Sequence, residues 1–322
     1  MTDLVVPENL KDEHMLTEKY RPQTVKDCVL PKNLSKLFSD IVSAGEFNNM
    51  LLCGPAGSGK TTIAKAICNE LGLDYYIINS SENGNIDTLR TTIRDFASSS
   101  SLMGDKIKVV ILDEADHLNP QSTQPALRHF MEEFSNNCRF ILTCNWKNKL
   151  IEPLRSRCFV VEFGIPKAEQ SKLAFTMFNR CKAILDLEGI EYDPKALAAV
   201  VEKYFPDFRR VLNELQRYGY GGMIDEGILS NIKDVEVSTL MTALKSKNFP
   251  AVKSWVVENL DGEVSEIYRS LYDSLYGRLT GESYASAVII IADYLYKSAF
   301  VADSEVNMMA CLTEIMCEAQ WK

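Results

Sequence analysis

Several features are missing from this sequence, and each absence removes a class of protein. Its nine cysteines are an odd number without a C-x-x-C pair, and they sit inside apolar runs, as at Cys53, Cys68, Cys144 and Cys158. Neither a disulfide framework nor a zinc site is indicated; this is how small buried thiols are used. Low-complexity tracts, a collagen period and a solenoid repeat are also lacking, and 46% hydrophobic with 25% charged residues is an ordinary globular composition. The most apolar stretch, Ala285 to Phe300, is broken by Asp293 and Lys297 and falls short of the ~20 residues that span a bilayer. The opening residues, Met1 to His14, lack the basic start and small-residue cleavage site of a secretory signal. A cytosolic protein without a membrane segment is expected.

A basic excess is missing too. The formal net charge of −9 argues against a surface that is positive all over, so any nucleic-acid contact must come from a local patch. From Val235 onward the chain carries 12 acidic and 7 basic residues, which makes its C-terminal part the more acidic. With 322 residues and domains of ~100–200 residues, two or three domains are expected.

What is present begins with a short apolar run, Met50 to Cys53, leading into Gly54, Pro55, Ala56, Gly57, Ser58, Gly59, Lys60 and Thr61, after which Thr62 to Leu71 has helical spacing. This is a G-x-x-x-x-G-K-[ST] phosphate loop between a strand and a helix. Its glycines let successive backbone N–H groups turn inward around phosphate oxygens, and the helix N-terminus adds its positive end. The Lys60 ammonium reaches the β- and γ-phosphates, and Thr61 offers a hydroxyl to Mg²⁺. A nucleoside triphosphate and Mg²⁺ are therefore the expected ligands.

A second apolar strand, Lys108 to Leu112, ends in Asp113, Glu114, Ala115 and Asp116. The carboxyl ends of strands in open α/β sheets are where ligands bind. Asp113 is placed to hold Mg²⁺ and Glu114 to polarise an attacking water; a solvated turn is the plainer alternative. Arg139 to Cys144 is a third strand closing on Asn145, which could hydrogen-bond the γ-phosphate or the water, or form a turn. Phe159 to Phe163 and Tyr75 to Asn79 bring the strands to five. The expected fold is α/β, a P-loop NTPase domain with a doubly wound parallel sheet.

These motifs, with Glu18 to Pro22, Gln124 to Arg128, the triplet Ser156-Arg157-Cys158, and Phe205 to Arg209, occur in an order that resembles the AAA+ sliding-clamp loaders. The chain's ending and the Phe205 to Arg209 segment look most like the large, ATP-hydrolysing subunit of T4-like phage loaders. The likeness runs the length of the chain, strongest up to about Tyr218. It implies three segments: a nucleotide-binding domain over 1–165, a helical lid over 166–232 and a helical collar for oligomerisation over 233–322. It also implies that Arg157 enters a neighbouring subunit's ATP site as an arginine finger, for which a planar, always-charged fork is suited. Arg155, two residues away on a strand-like path, either shares that face or is a surface charge. Arg209 takes the position of the family's in-cis sensor arginine, and Arg210 beside it points elsewhere.

Tyr20, Cys28 and Val29 fall where the family packs against adenine, with core packing as the alternative. Asn85, Ile86 and Arg90 fall where it grips DNA phosphates, with helix capping by Asn85 as the alternative. Leu102 and Met103 tip a loop that, by resemblance, touches the sliding clamp. Implied partners are the clamp, a clamp-loader small subunit, further copies of this chain in a pentamer, and primer-template DNA, in the cytoplasm of an infected host. Two departures stand out. Gln124, the family's switch residue, precedes Pro125, so that helix is expected to begin near Ser122, and His129 replaces a second arginine. A helicase loader or branch-migration motor is the rival within ATPases; a binding module with a structural nucleotide is the rival outside them.

Overall fold

Five short runs rich in Val, Ile, Leu and Phe build one parallel sheet: β1 (Met50–Cys53), β2 (Tyr75–Asn79), β3 (Lys108–Asp113), β4 (Cys138–Cys144) and β5 (Phe159–Glu162), in the order β2-β3-β4-β1-β5. The computed structural model describes residues 12–82, 86–99, 107–225, 237–260 and 264–322. Between and before the strands lie α1 (Leu16–Lys19), α2 (Lys32–Ala44), α3 (Lys60–Leu71), α4 (Ile86–Ser98), α5 (Thr123–Glu133) and α6 (Glu152–Arg155).

Side chains on a strand alternate between faces, and this parity divides the apolar residues into two cores. Met50 and Leu52 join Val109, Ile111 and Ile141 against Phe38 of α2 and Ile63 and Ile67 of α3. Leu51 joins Val110, Leu112, Phe140 and Leu142 against Leu89 and Ile93 of α4 and Leu127 and Phe130 of α5. Helices thus cover both faces, which is why the central strands read as unbroken apolar runs. Each such side chain taken fully out of water stabilises the fold by ~1.5–3 kcal/mol.

Beyond Pro166 come α7 (Lys167–Glu188), α8 (Pro194–Tyr204) and α9 (Phe208–Gly219), with the paired two-residue strands β6 (Glu191–Tyr192) and β7 (Met223–Ile224). Asp193 and Asp207 start α8 and α9 by accepting the N–H groups of Ala196 and Arg210, each an N-cap of the expected type. Leu173, Met177, Cys181, Leu197, Val200, Val211 and Leu215 form a third core, which also takes in Leu16 and Tyr20 from the start of the chain.

Contacts divide the chain into two compact units, Met1–Ile232 and Lys233–Lys322. In the second unit the helices Val237–Lys245, Phe249–Asn259, Val264–Leu275, Gly281–Ser298 and Ser304–Glu318 enclose Tyr268, Leu271, Leu275, Met308, Cys311 and Leu312. Asn307, buried among them, donates to the Tyr268 hydroxyl (3.0 Å) and the Tyr294 carbonyl (3.1 Å). The chain end pairs back on itself, Trp321 bridging to Leu279. Among the described residues no helix is long and apolar enough to cross a membrane.

Helix α5 begins with Ser122 as its N-cap and carries Pro125 in its first turn, where the missing N–H costs no helical bond. Gln124 is fully buried. Its amide donates to the carbonyls of Leu118 (2.9 Å) and Lys149 (3.1 Å), and its oxygen accepts from the Ile151 N–H (2.8 Å). One side chain therefore ties the turn after β3 to the segment entering α6. Gln124→Leu should destabilise the first unit by about 2–4 kcal/mol, because the apolar replacement strands several buried backbone groups. Urea unfolding followed by circular dichroism checks this; a midpoint unchanged from wild type would show that these bonds contribute nothing.

Candidate nucleotide-binding site

The loop from Gly54 to Gly59 leaves β1 and enters α3 at the carboxyl edge of the sheet. Two crossings explain its glycines. A Cβ on Gly54 would come within 2.8 Å of the Phe163 Cβ. At Gly57, φ is +69°, and a Cβ would lie 1.8 Å from Asp207 Oδ1, where the N-terminus of α9 rests on the loop. The Phe208 N–H also donates to the Gly57 carbonyl at 3.2 Å, so the helical lid touches the loop directly.

Lys60 opens α3 with its side chain folded into the loop and only 8% of the residue exposed. Its ammonium donates to the carbonyls of Gly54 (2.9 Å) and Pro55 (2.8 Å) and to Asn145 Oδ1 (2.9 Å). Desolvation draws its pKa below the usual lysine value. Next to it, the Thr61 hydroxyl donates to Asp113 Oδ1 at 2.6 Å, and the Thr143 hydroxyl donates to the same oxygen. The Glu114 N–H in turn donates to Thr143 Oγ1 at 3.1 Å. Glu114 has φ +55°, a left-handed conformation that is sparsely populated without glycine, and it marks the sharp exit from β3.

One cleft collects these groups, with Lys60, Thr61, Asp113, Glu114 and Asn145 at one end. Tyr20, Cys28, Val29, Leu30, Met177 and Leu212 line it as well, with Thr17, Arg21 and Arg180 as polar groups among them. Burial pushes the Cys28 thiol up to about 12, so it stays neutral. The Tyr20 hydroxyl donates to Glu188 Oε1 at 2.6 Å. Arg209 lines the cleft from α9, whereas the Arg210 guanidinium lies 4.8 Å from the centre of the Tyr204 ring.

Arg157 is elsewhere. Among the described residues, the cleft lining includes neither Arg155 nor Arg157. The Arg157 Nε donates to Glu132 Oε1 on α5 at 2.8 Å, its Nη2 shares that acceptor, and its Nη1 donates to the Pro153 carbonyl at 2.6 Å. The guanidinium holds the Glu132 carboxyl below its ordinary pKa. The strand-like path expected for Arg155 is not found. Pro153 sits in the first turn of α6, Arg155 closes that helix, and Arg157 lies in the turn before β5. Arg155 pairs instead with Glu152 of its own helix.

On α4, Ile86 is half-buried and Arg90 exposed, while Asn85, Leu102 and Met103 lie outside the described residues. Sequence reasoning passed over Thr143 and Arg180, and named Asp116 in its motif without giving it a role. Thr143, 1% exposed, is a hydroxyl inside an apolar strand, and that anomaly was the available signal. The buried Asp116 accepts the Trp146 N–H at 3.3 Å and so holds the turn after Asn145. Arg180 lies in α7, far along the chain from any motif, and carried no signal at all.

A phosphate loop, an acid pair at the end of β3 and a helical lid resting on the loop define a P-loop ATPase. Residues 50–166 match the ATPase family associated with various cellular activities (AAA), and residues 169–230 match the family described as sliding-clamp-loader large subunit, AAA+ ATPase lid domain. Over 326 residues the chain is 37% identical to the sliding-clamp-loader large subunit of Escherichia phage RB69, covering 96% of this chain and 98% of that protein. Over 315 residues it is 34% identical to the corresponding subunit of Enterobacteria phage T4, with the same coverage of 96% and 98%. A solved Thermotoga maritima RuvB Holliday junction branch migration motor matches with a TM-score of 0.52 and 20% identity, over 66% of this chain and 71% of that one, a likeness of fold alone. The chain belongs to the sliding-clamp-loader large-subunit family and is a nucleotide-binding AAA ATPase.

Gly57→Ala should weaken nucleotide binding by about tenfold or more, since the methyl both strains a left-handed backbone and strikes Asp207. Titration with a fluorescent ATP analogue reads this out. Unchanged affinity would mean that α9 does not rest on the loop in solution.

Proposed function

We propose that this ATPase is the motor subunit of an assembly that opens a ring-shaped sliding clamp and closes it around primer-template DNA. The near full-length similarity to sliding-clamp-loader large subunits supports the clamp as the object of the work. The observation that carries the mechanism is Arg157, an always-charged fork held on α5 and α6 outside the described lining of its own cleft.

In this reading the triphosphate lies in the loop from Gly54 to Thr62, its oxygens met by backbone N–H groups and the positive end of α3. Lys60, no longer needed by the loop carbonyls, turns to the β- and γ-phosphates. The Thr61 hydroxyl and Asp113 carboxylate meet at 2.6 Å, a pair of hard oxygen donors suited to Mg²⁺ completed by phosphate and water. Those two residues would hold the ion, which supplies charge neutralisation on the phosphates. Glu114 positions the attacking water, Asn145 aligns it or the γ-phosphate, and Arg209 reaches the phosphates from the lid. Arg157 enters the cleft of a neighbouring copy.

The segments 1–165, 166–232 and 233–322 serve as motor, lid and collar of a pentamer that also contains a small subunit. Asn85, Ile86 and Arg90 contact DNA phosphates, and Leu102 and Met103 contact the clamp. Stimulation by clamp together with primed DNA, rather than by DNA alone, distinguishes this from a helicase loader or branch-migration motor.

Lys60→Ala should abolish ATP binding, because the phosphates lose their main point charge; retained affinity in an analogue titration would refute the phosphate-loop assignment. Arg157→Ala should keep ATP binding yet lose turnover by up to ~10³-fold, as arginine fingers do. Mixing Arg157→Ala with Glu114→Gln subunits should restore part of the activity, since some interfaces then pair a sound pocket with a sound finger. A finger acting within its own chain gives no recovery in any mixture.

A further inference from the structure

Arg180 stands near the middle of α7 and lines the same cleft. Its guanidinium fork spans two backbone carbonyls, Nη2 donating to Tyr20 and Nη1 to Asp27, each at 2.9 Å. These carbonyls mark the two ends of the segment 20–27, and Cys28, Val29 and Leu30, all cleft-lining, follow immediately. The same segment is tied to the phosphate-loop helix by Arg21 to Thr62 Oγ1 (3.2 Å) and by the Val25 N–H to Glu70 Oε2 (3.0 Å). It therefore bridges the loop helix and the lid, which holds it through Arg180 at both ends and through Glu188 at the Tyr20 hydroxyl. Burial draws the arginine's pKa below its usual value, as expected for a cation taken out of water to face carbonyl dipoles.

A nucleotide with its phosphates in the loop places its base toward the apolar part of the cleft. There Val29, Leu30, Met177 and Leu212 offer no polar side-chain atoms, Cys28 stays a neutral thiol, and the Tyr20 hydroxyl is committed to Glu188. Thr17 and Arg21 line the cleft too, Arg21 being engaged with Glu18 and Thr62, so polar reading of the base falls to the Thr17 hydroxyl and the backbone of 28–30. Adenine presents an amino donor where guanine presents a carbonyl acceptor, so a backbone can tell them apart only while its own position is fixed. A site built around such bonds rejects the wrong partner by leaving buried polar groups unpaired.

We propose that Arg180 is a positioning residue for base recognition: by clamping both ends of the segment 20–27 it fixes the backbone of 28–30 against the base. The proposal rests on the assignment of the triphosphate to the loop from Gly54 to Thr62. A lysine keeps the charge but lacks the planar fork that meets two acceptors in fixed geometry.

The test compares Kd for ATP and GTP in the full chain, for wild type, Arg180→Lys and Arg180→Gln, with thermal unfolding run on each. Both variants should lose about tenfold in ATP affinity and less for GTP, so that the ATP-over-GTP ratio collapses while kcat at saturating ATP stays near wild type. If Arg180→Gln fails to fold, the charge-conserving Arg180→Lys still reports the ratio. Equal losses for the two nucleotides, unchanged affinities, or a wild type that does not discriminate between them would each overturn the proposal. Lys60→Ala serves as the control on the underlying assignment. It should lose both nucleotides alike, and its retention of both would sink the phosphate-loop reading itself.

Discussion

The site is organised around one buried cation. The Lys60 ammonium sits at the carboxyl edge of the sheet, almost out of water, and a charge so placed must be surrounded by oxygen. The nearest oxygens are the carbonyls of Gly54 and Pro55 and the amide of Asn145. That requirement curls the loop back over the start of α3, and the pairing of β4 with β1 puts Asn145 within its reach. Because β3 also pairs with β4, Asp113 arrives next to Thr61, and the Thr143 hydroxyl joins them. A triphosphate offers the ammonium stronger acceptors than neutral carbonyls do, which makes the arrangement responsive to nucleotide.

The lid and the start of the chain form a second layer around that centre. Asp207 both caps α9 and lies against Gly57, so the helix that carries Arg209 is anchored at the loop itself. Tyr20 belongs to the lid's apolar core although it lies far from it along the chain, and its hydroxyl is held by Glu188 of α7. Movement of the lid would carry both Arg209 and the segment around Tyr20 with it. Helix α5 has Gln124 at one end, bonded to the turn after β3, and Glu132 at the other, bonded to Arg157. One helix thus touches both the turn after β3 and the arginine proposed to enter a neighbour's cleft.

Much of this was legible in the residues. The apolar runs that became the central strands β1, β3 and β4 were readable because strands covered on both faces need no polar alternation, and the phosphate loop was readable because its glycines and lysine have few other uses in that setting. The expectation that α5 begins at Ser122 follows from the missing N–H of Pro125, a local constraint. Arg155 was misplaced for the opposite reason. The apolar β-branched residues after it suggested an extended path, while Pro153 and a pairing with Glu152 favoured a helical turn.

The sequence by itself determined the class of protein, the phosphate loop, the acid pair and the positions where helices start, because each depends on residues adjacent in the chain or on backbone conformations that few residue types accept. Only the tertiary structure decided which distant groups meet: Thr143 with Asp113, Asp207 with Gly57, Arg180 with the carbonyls of Tyr20 and Asp27, and Arg157 with Glu132. Such contacts are set by how helices pack on a twisted sheet and on one another, and a hydrogen bond between residues 160 positions apart, as from Arg180 to Tyr20, leaves no periodicity in the chain to read.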